Sequence, residues 1–400
     1  MTGSPVQPGL TVHGVADVLA SVTELLPTLR ERAQETEDLR RIPDDTIKSL
    51  QSTGFFRLLQ PKRYAGLEAS PVDFYRAVRL IASACGSTGW VSSVLGVHPW
   101  QLGIFDDQAQ QDVWGEDPST LVSSSYAPMG RAKAAEGGFT FSGRWSFSSG
   151  CDHAQWVFLG GLVLGEDGNV VDFRTFLLPR SDYEIEDVWD TVGLRGTGSN
   201  DIIVKDVFVP EYRTLSFVQT GACLGPGQAV NEAAIYKLPF ASVFSCSISV
   251  PVLGMAQGAY EAYVGWTKER VRASTGTQAS ADSFNQLRIA EAAAKLDGAV
   301  LQIERNINEE LAYIERGEKV PMPLRVQTRR DQVSATGAGI AAVDRLFESA
   351  GGRALRTGTP IQRFWRDAHA GRVHAINDPE KALVMYGQFE LGLKVQDAWL

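Results

Sequence analysis

The spacing of apolar residues changes twice along this 400-residue chain, and few architectures survive that constraint. From about Val15 to Asp117 the pattern is helical. Leu19, Val22, Leu26 and Leu29 recur at three- and four-residue steps, as one face of a helix does. Pro43 followed by Asp44 and Asp45 reads as a helix start, with carboxylates at the positive end of the dipole. Val72 to Ala84 is apolar nearly all round, as a central helix would be, and Gly86 to Phe105 is rich in small residues that suit close packing. Between about Ser119 and Ser216 glycine-punctuated runs take over: GGFTFSG, WVFLGGLVL, VDFRTFLLP and DIIVKDVFVP, all rich in aromatic and β-branched residues and bounded by turn signals. These read as strands of a compact β domain. Residues 217–240 read as a connecting loop. Helical period then returns, with one stripe through Leu287, Ala290, Ala294, Leu296, Val300, Ile303, Ile307, Leu311 and Ile314 and another through Val333, Thr336, Ile340, Val343 and Phe347. Long helices joined by short breaks make a bundle, with some stripes available to face another subunit. The fold class is α+β, in the order helices (1–118), β domain (119–220), helices (221–400).

Composition narrows the function classes. A net charge of -9 with scattered Lys and Arg argues against nucleic acid or an anionic membrane as partner. Cys85, Cys151, Cys223 and Cys246 lie far apart with no CxxC pair, so reduced core thiols and a cytoplasmic setting are expected. The N-terminal MTGSPVQPGLTVHG is polar, and no stretch is expected to reach the roughly 18 apolar residues of a membrane span. There is no GxGxxG, P-loop or GxSxG elbow. The five histidines show no metal-ligand spacing; His369 and His374 stand roughly 140° apart around a helix. No metal is expected, and hard chemistry would fall to an organic cofactor.

Two segments carry a resemblance. TVGLRGTGSNDIIVKDVFVP (191–210) and QRFWRDAHAGRVHAINDPEKA (362–382) look like the central signature and the C-terminal RDA segment of the acyl-CoA dehydrogenase fold family. The resemblance covers essentially the whole chain. It implies a β-barrel or sandwich between an N-terminal helical domain and a C-terminal four-helix bundle. Within the family, the blocks CGSTGWVSS, WGEDPST, SSSYAP, GRWSFSSGCDHAQW and IQRFWRDAHAGRVHA resemble the flavin-dependent monooxygenase branch, above all actinobacterial hydroxylases of phenolic secosteroids. Val373, His374, Ala375 and Ile376 stand where many dehydrogenases carry a catalytic glutamate. The implied activity is ortho-hydroxylation of a phenol to a catechol by reduced FMN or FAD and O2 through a flavin hydroperoxide, the flavin supplied by a separate NAD(P)H-dependent reductase to a homotetramer. The alternatives are an aromatic polyketide or other bulky phenol as substrate, or an FAD-dependent acyl-CoA dehydrogenase.

The resemblance also assigns site residues. Trp90 reads as a flavin contact or as a core tryptophan. Ser124, Ser125, Tyr126, Phe147, Ser148 and Ser149 offer hydroxyls, backbone N–H groups and aromatic faces to a flavin ring, although serine clusters alone are commonly turns. Arg270 suits a phosphate, or is a surface charge. Gly351 and Gly352 with Arg353 and Ala354 form a break that could approach phosphate or adenine, or a plain helix cap. His374 is the candidate base for the phenolic proton and, with Ala375 and Ile376, a candidate flavin contact. Asn377 is placed to orient substrate, and His98 and Trp145 to border the substrate. His369 is assigned to packing or a subunit contact.

Overall fold

The computed structural model describes residues 14–271 and 276–395; His13 and most of the polar N-terminal segment lie outside them. Six helices come first: α1 (Val15–Glu31), α2 (Ala33–Leu39), α3 (Asp44–Ser52), α4 (Pro71–Ala84), α5 (Gly86–Leu102) and α6 (Asp107–Trp114). α1 buries Val22, Leu26 and Leu29, and Asp44 and Asp45 occupy the first turn of α3, as expected. The helix enclosed on every side is α5, all of whose residues are buried; α4 packs beside it and keeps Asp73 and Arg76 on its outer face. The small residues of α5 make this enclosure possible.

Seven strands follow: β1 (Val122–Ala135), β2 (Gly138–Ser148), β3 (Trp156–Leu164), β4 (Val170–Pro179), β5 (Glu184–Glu186), β6 (Asn200–Pro210) and β7 (Thr214–Ser216). They form one sheet in the order β5-β6-β2-β1-β3-β4-β7, antiparallel except for the parallel β1–β3 pair. Phe141 on β2 and Phe176 on β4 stack at 4.1 Å although two strands lie between theirs. Each strand adds about 4.8 Å to a flat sheet, so the sheet curls over its apolar face. It encloses a core of its own around Phe141, Trp145, Phe176 and Ile202.

The 217–240 segment is more ordered than a loop. It holds α7 (Phe217–Gly221), capped by the Ser216 hydroxyl, and two 3₁₀ turns pinned by Gln228 and Asn231. The bundle comprises α8 (Phe240–Glu269), α9 (Ser283–Glu315), α10 (Met322–Ala350), α11 (Pro360–Arg372) and α12 (Pro379–Glu390). α8 corrects the expectation of no long apolar stretch: it contains an 18-residue window apolar enough to cross a membrane, but 89% of that window is buried inside the fold. It is the core helix of the bundle. The α9 stripe is also shifted. Ala292, Leu296, Ala299, Ile303 and Ile307 are buried, whereas Leu287, Ala290 and Ala294 face outward, because α8 and α10 cover the Ala292 side. The helices before and after the sheet share one core from Val18 to Ala368, α12 packs Ala382 and Met385 against Val326 and Val333 in a small separate cluster, and all four cysteines are free thiols.

Candidate active site

α5, the ends of β1 and β2, the 191–199 turn and the end of α11 meet at one place. Trp90 on α5 is buried there, and its indole Nε1 donates to Ser149 Oγ at 3.1 Å. Its ring lies 5.8 Å from the His374 imidazole. Gly371 allows that approach, since a Cβ there would stand 3.0 Å from Trp90 Cζ3. The two serine clusters are joined across β1 and β2: Ser148 Oγ donates to Ser123 Oγ at 3.4 Å, and Ser125 Oγ to the Ser146 carbonyl at 2.8 Å. Ser124 is buried beside them. Trp90, both clusters and His374 therefore converge.

Phe147 departs from its strand. It is 71% exposed with φ of 69°, at a register break between Trp145 and Ser148. A bulky residue in the left-handed region is strained, and such strain concentrates at functional sites. Phe147 meets Trp189 edge to face at 6.2 Å.

His98 and His374 are set in opposite tautomers. His98 is fully buried on α5 among Tyr126, Phe158 and Phe244, with ring centroids 5.7 to 6.2 Å away. Its Nδ1 meets the Val122 carbonyl, which can only accept, so Nδ1 carries the proton. Nε2 is left with a bare lone pair, buried and unpartnered. Gln101 Nε2 is orphaned in the same way, while Gln101 Oε1 accepts from Tyr126 OH. His374 is half-buried and caps the 3₁₀ turn Ala375–Asn377, its Nδ1 accepting the Ile376 N–H at 3.2 Å. A neutral ring with Nδ1 so occupied carries its proton on Nε2. Desolvation lowers the pKa of each ring to about 4, so both are neutral at pH 7. The base expected at His374 does not match this geometry: His374 is a donor, and the free lone pair belongs to His98.

Two further expectations are corrected. Trp145 is a core residue of the sheet, fully buried against Phe141 with Nε1 donating to the Gly160 carbonyl at 2.8 Å. Asn377 faces inward and locks the turn after α11 to its neighbours. Its Oδ1 accepts from Ser249 Oγ and Gln332 Nε2, and its Nδ2 donates to the Gly371 carbonyl. It holds the turn that carries His374.

Arg270, Arg353 and Ala354 form a separate group. Arg270 ends α8, stacks on Trp266 at 4.3 Å and reaches the Ala350 carbonyl at 3.4 Å. Ala354 is buried and Arg353 exposed in the 3₁₀ turn just beyond, where Gly351 caps α10 with φ of 70°. Along α11 this end stands roughly 16 Å from Gly371, at 1.5 Å per residue. The two groups flank opposite ends of α11. His369 packs on Trp365 and meets Asp344 Oδ1 at 2.8 Å.

Sequence reasoning missed Thr197, Ser199 and Asp367. Ser199 Oγ lies 2.7 Å from both Ser149 Oγ and Thr197 Oγ1, and Asp367 Oδ1 accepts the Leu194 N–H at 2.7 Å. All three sit inside the quoted signature blocks, where glycines and arginines drew attention and the hydroxyls did not. Among the described residues no group of three or more His, Cys, Asp or Glu could hold a metal ion.

A flavin ring fits this donor set: a buried indole, a hydroxyl-lined edge, an exposed aromatic and orphaned polar atoms at His98 and Gln101. The comparisons agree. Residues 246–379 match the acyl-CoA dehydrogenase C-terminal domain. The oxygenase subunit HsaA of a flavin-dependent monooxygenase from Rhodococcus jostii is 58% identical over 93% of this chain and 98% of its own length. Its counterpart from Mycobacterium tuberculosis is 55% identical, over 95% of this chain and 96% of that protein. This chain belongs to the flavin-dependent monooxygenase oxygenase subunits. The crystal structure of a 3-HSA hydroxylase from Rhodococcus sp. superposes on this oxygenase subunit with a TM-score of 0.93, at 57% identity, over 96% of this chain and 99% of that one. The acyl-CoA dehydrogenase-like fold expected from the signature blocks is thereby established.

Proposed function

We propose that this oxygenase ortho-hydroxylates a phenol to a catechol, using reduced FMN or FAD delivered by a separate NAD(P)H-dependent reductase. A phenolic secosteroid is the substrate class supported by the resemblance of the sequence blocks and by the likeness to a 3-HSA hydroxylase. The observation that carries the reading is His98 Nε2, an unprotonated and unpartnered nitrogen of a fully buried ring inside an aromatic shell. When bound, reduced flavin supplies the electron pair that activates dioxygen for transfer of one oxygen atom to the ring. His98 Nε2 accepts the phenolic proton, which raises electron density on the ortho carbon. Its low pKa in the free protein rises as the phenolate forms beside it, because an opposite charge favours the imidazolium. Phe158, Phe244 and Tyr126 exclude water from that transfer. His374 Nε2–H donates on the cofactor side, and Trp90 steers Ser149.

Association into a homotetramer is part of the proposal. Phe284, Leu287 and Leu301 expose half or more of their area on α9. Light scattering should therefore give four copies of the 43.5 kDa chain, and a monomer would count against it. The reaction itself is tested with isotopically labelled dioxygen, reduced flavin and a phenolic secosteroid. A catechol bearing one labelled oxygen is expected; hydrogen peroxide with no catechol would overturn the reading.

A further inference from the structure

Three oxygen–oxygen contacts run in series from the site: Ser149 Oγ to Ser199 Oγ at 2.7 Å, Ser199 Oγ to Thr197 Oγ1 at 2.7 Å, and Thr197 Oγ1 to the Leu194 carbonyl at 2.9 Å. All three side chains are buried. The series contains three hydroxyl protons and ends on an oxygen that can only accept. The count closes in one direction. Thr197 donates to Leu194, so Ser199 must donate to Thr197, so Ser149 must donate to Ser199. At the other end Trp90 Nε1, a donor only, takes one lone pair of Ser149 Oγ. The remaining valence of Ser149 is a lone pair with no proton.

The far end of the series is anchored. Leu194 sits in the left-handed region at φ of 51°, and its N–H is held by Asp367 of α11 at 2.7 Å. Its carbonyl also accepts the Trp189 Nε1 at 2.8 Å. The terminal acceptor is thus fixed from two elements, and the polarity of the series with it.

We infer that Ser199 and Thr197 are positioning residues that turn the Ser149 proton away from the cofactor, so that Ser149 acts there as an acceptor and the site prefers reduced to oxidised flavin. The inference rests on the reading of Ser149 as a cofactor contact. A reduced flavin carries a ring N–H where the oxidised ring carries a bare nitrogen lone pair. An acceptor-only oxygen satisfies the first and repels the second. A subunit that draws its flavin from a reductase gains from that difference, because it captures the useful form and releases the spent one.

The test is equilibrium binding of FMN and FAD, anaerobically reduced and oxidised, to the full chain and to Ser199→Ala, Thr197→Val and Ser199→Thr, with thermal midpoints recorded alongside. Either broken series frees the Ser149 proton to donate. The oxidised-over-reduced ratio of dissociation constants should then shrink by roughly threefold to tenfold, the worth of one hydrogen bond, chiefly through tighter oxidised flavin. Ser199→Thr keeps the hydroxyl and should keep the ratio. An unchanged ratio in Ser199→Ala and Thr197→Val overturns the inference. Failure of the unaltered chain to bind either flavin overturns the cofactor reading itself. Neutron diffraction on the unaltered chain reads the polarity without any variant: a Ser149 deuteron directed at Ser199 supports it, and one directed elsewhere refutes it.

Discussion

His98 and His374 show how far a side chain's chemistry depends on its partners. Both rings are neutral at pH 7, yet the Val122 carbonyl leaves His98 a lone pair facing inward while the Ile376 N–H leaves His374 only a donor. His98→Asn should therefore lower catechol yield by roughly a hundredfold, the usual worth of a general base, with peroxide made instead. His374→Asn, which keeps a donor, should cost less. Equal losses in the two variants would remove the distinction. Burial of neutral His98 also couples stability to pH. The ring titrates near 4 when folded against 6.5 in its ordinary state. Between those values the unfolded chain binds more protons, so this contribution is full above pH 6.5 and is lost as pH falls toward 4. Asp367 and Glu310, pushed up to about 7 by burial, act in the opposite sense, losing stability as pH rises toward 7. His98→Asn should lower the slope of urea-unfolding free energy against pH between 4 and 6.5 by about 1.4 kcal/mol per pH unit; an unchanged slope would show that His98 titrates alike in the folded and unfolded chain. Both histidines were visible in the sequence. Their roles were not, because Val122 lies far from His98 in the chain and spacing carries no word of tautomers. Asn377 was misread for a related reason: it ends a capped 3₁₀ turn that points it inward.

Trp145 and Phe147 make the same point for elements. Strict alternation puts both on one face of β2, but the register slip and the left-handed turn at Phe147 send Trp145 into the sheet core and Phe147 out to solvent. Phe147→Gly should then stabilise the free protein by about 1 kcal/mol, since glycine takes that backbone freely, while weakening flavin binding. A loss of thermal stability would contradict the strain argument. α5 gives the contrary case. Gly89 meets the Ala82 backbone so closely that an added Cβ would lie 2.3 Å from its Cα. Gly89→Val should cost upwards of about 3 kcal/mol in chemical denaturation, as overpacking against backbone does, and a silent substitution would mean that α4 and α5 can part. Small residues at α5 and helical period in α1 were legible because they answer to local packing. The first third of the α9 stripe was not, because composition cannot say which apolar side a neighbouring helix will cover.

Across the whole molecule, the change from helical to strand period and back was the most legible feature, since each period can bury only one kind of face. What the pattern could not show is that the helical regions before and after the sheet share one core while the sheet keeps its own. The proposed site lies where those cores abut, with α5 and the turn after α11 supplying Trp90, His98 and His374 and the sheet supplying the serines. That arrangement joins the proposed base, buried on the helical side, to a hydroxyl-lined edge on the strand side. The most direct measurement mixes anaerobically reduced flavin, enzyme and a phenolic secosteroid with dioxygen and counts catechol and hydrogen peroxide formed per flavin oxidised. Most of the oxidised flavin should be matched by catechol in the unaltered enzyme and by peroxide in His98→Asn; peroxide alone from the unaltered enzyme, or the same partition in both, would contradict the account.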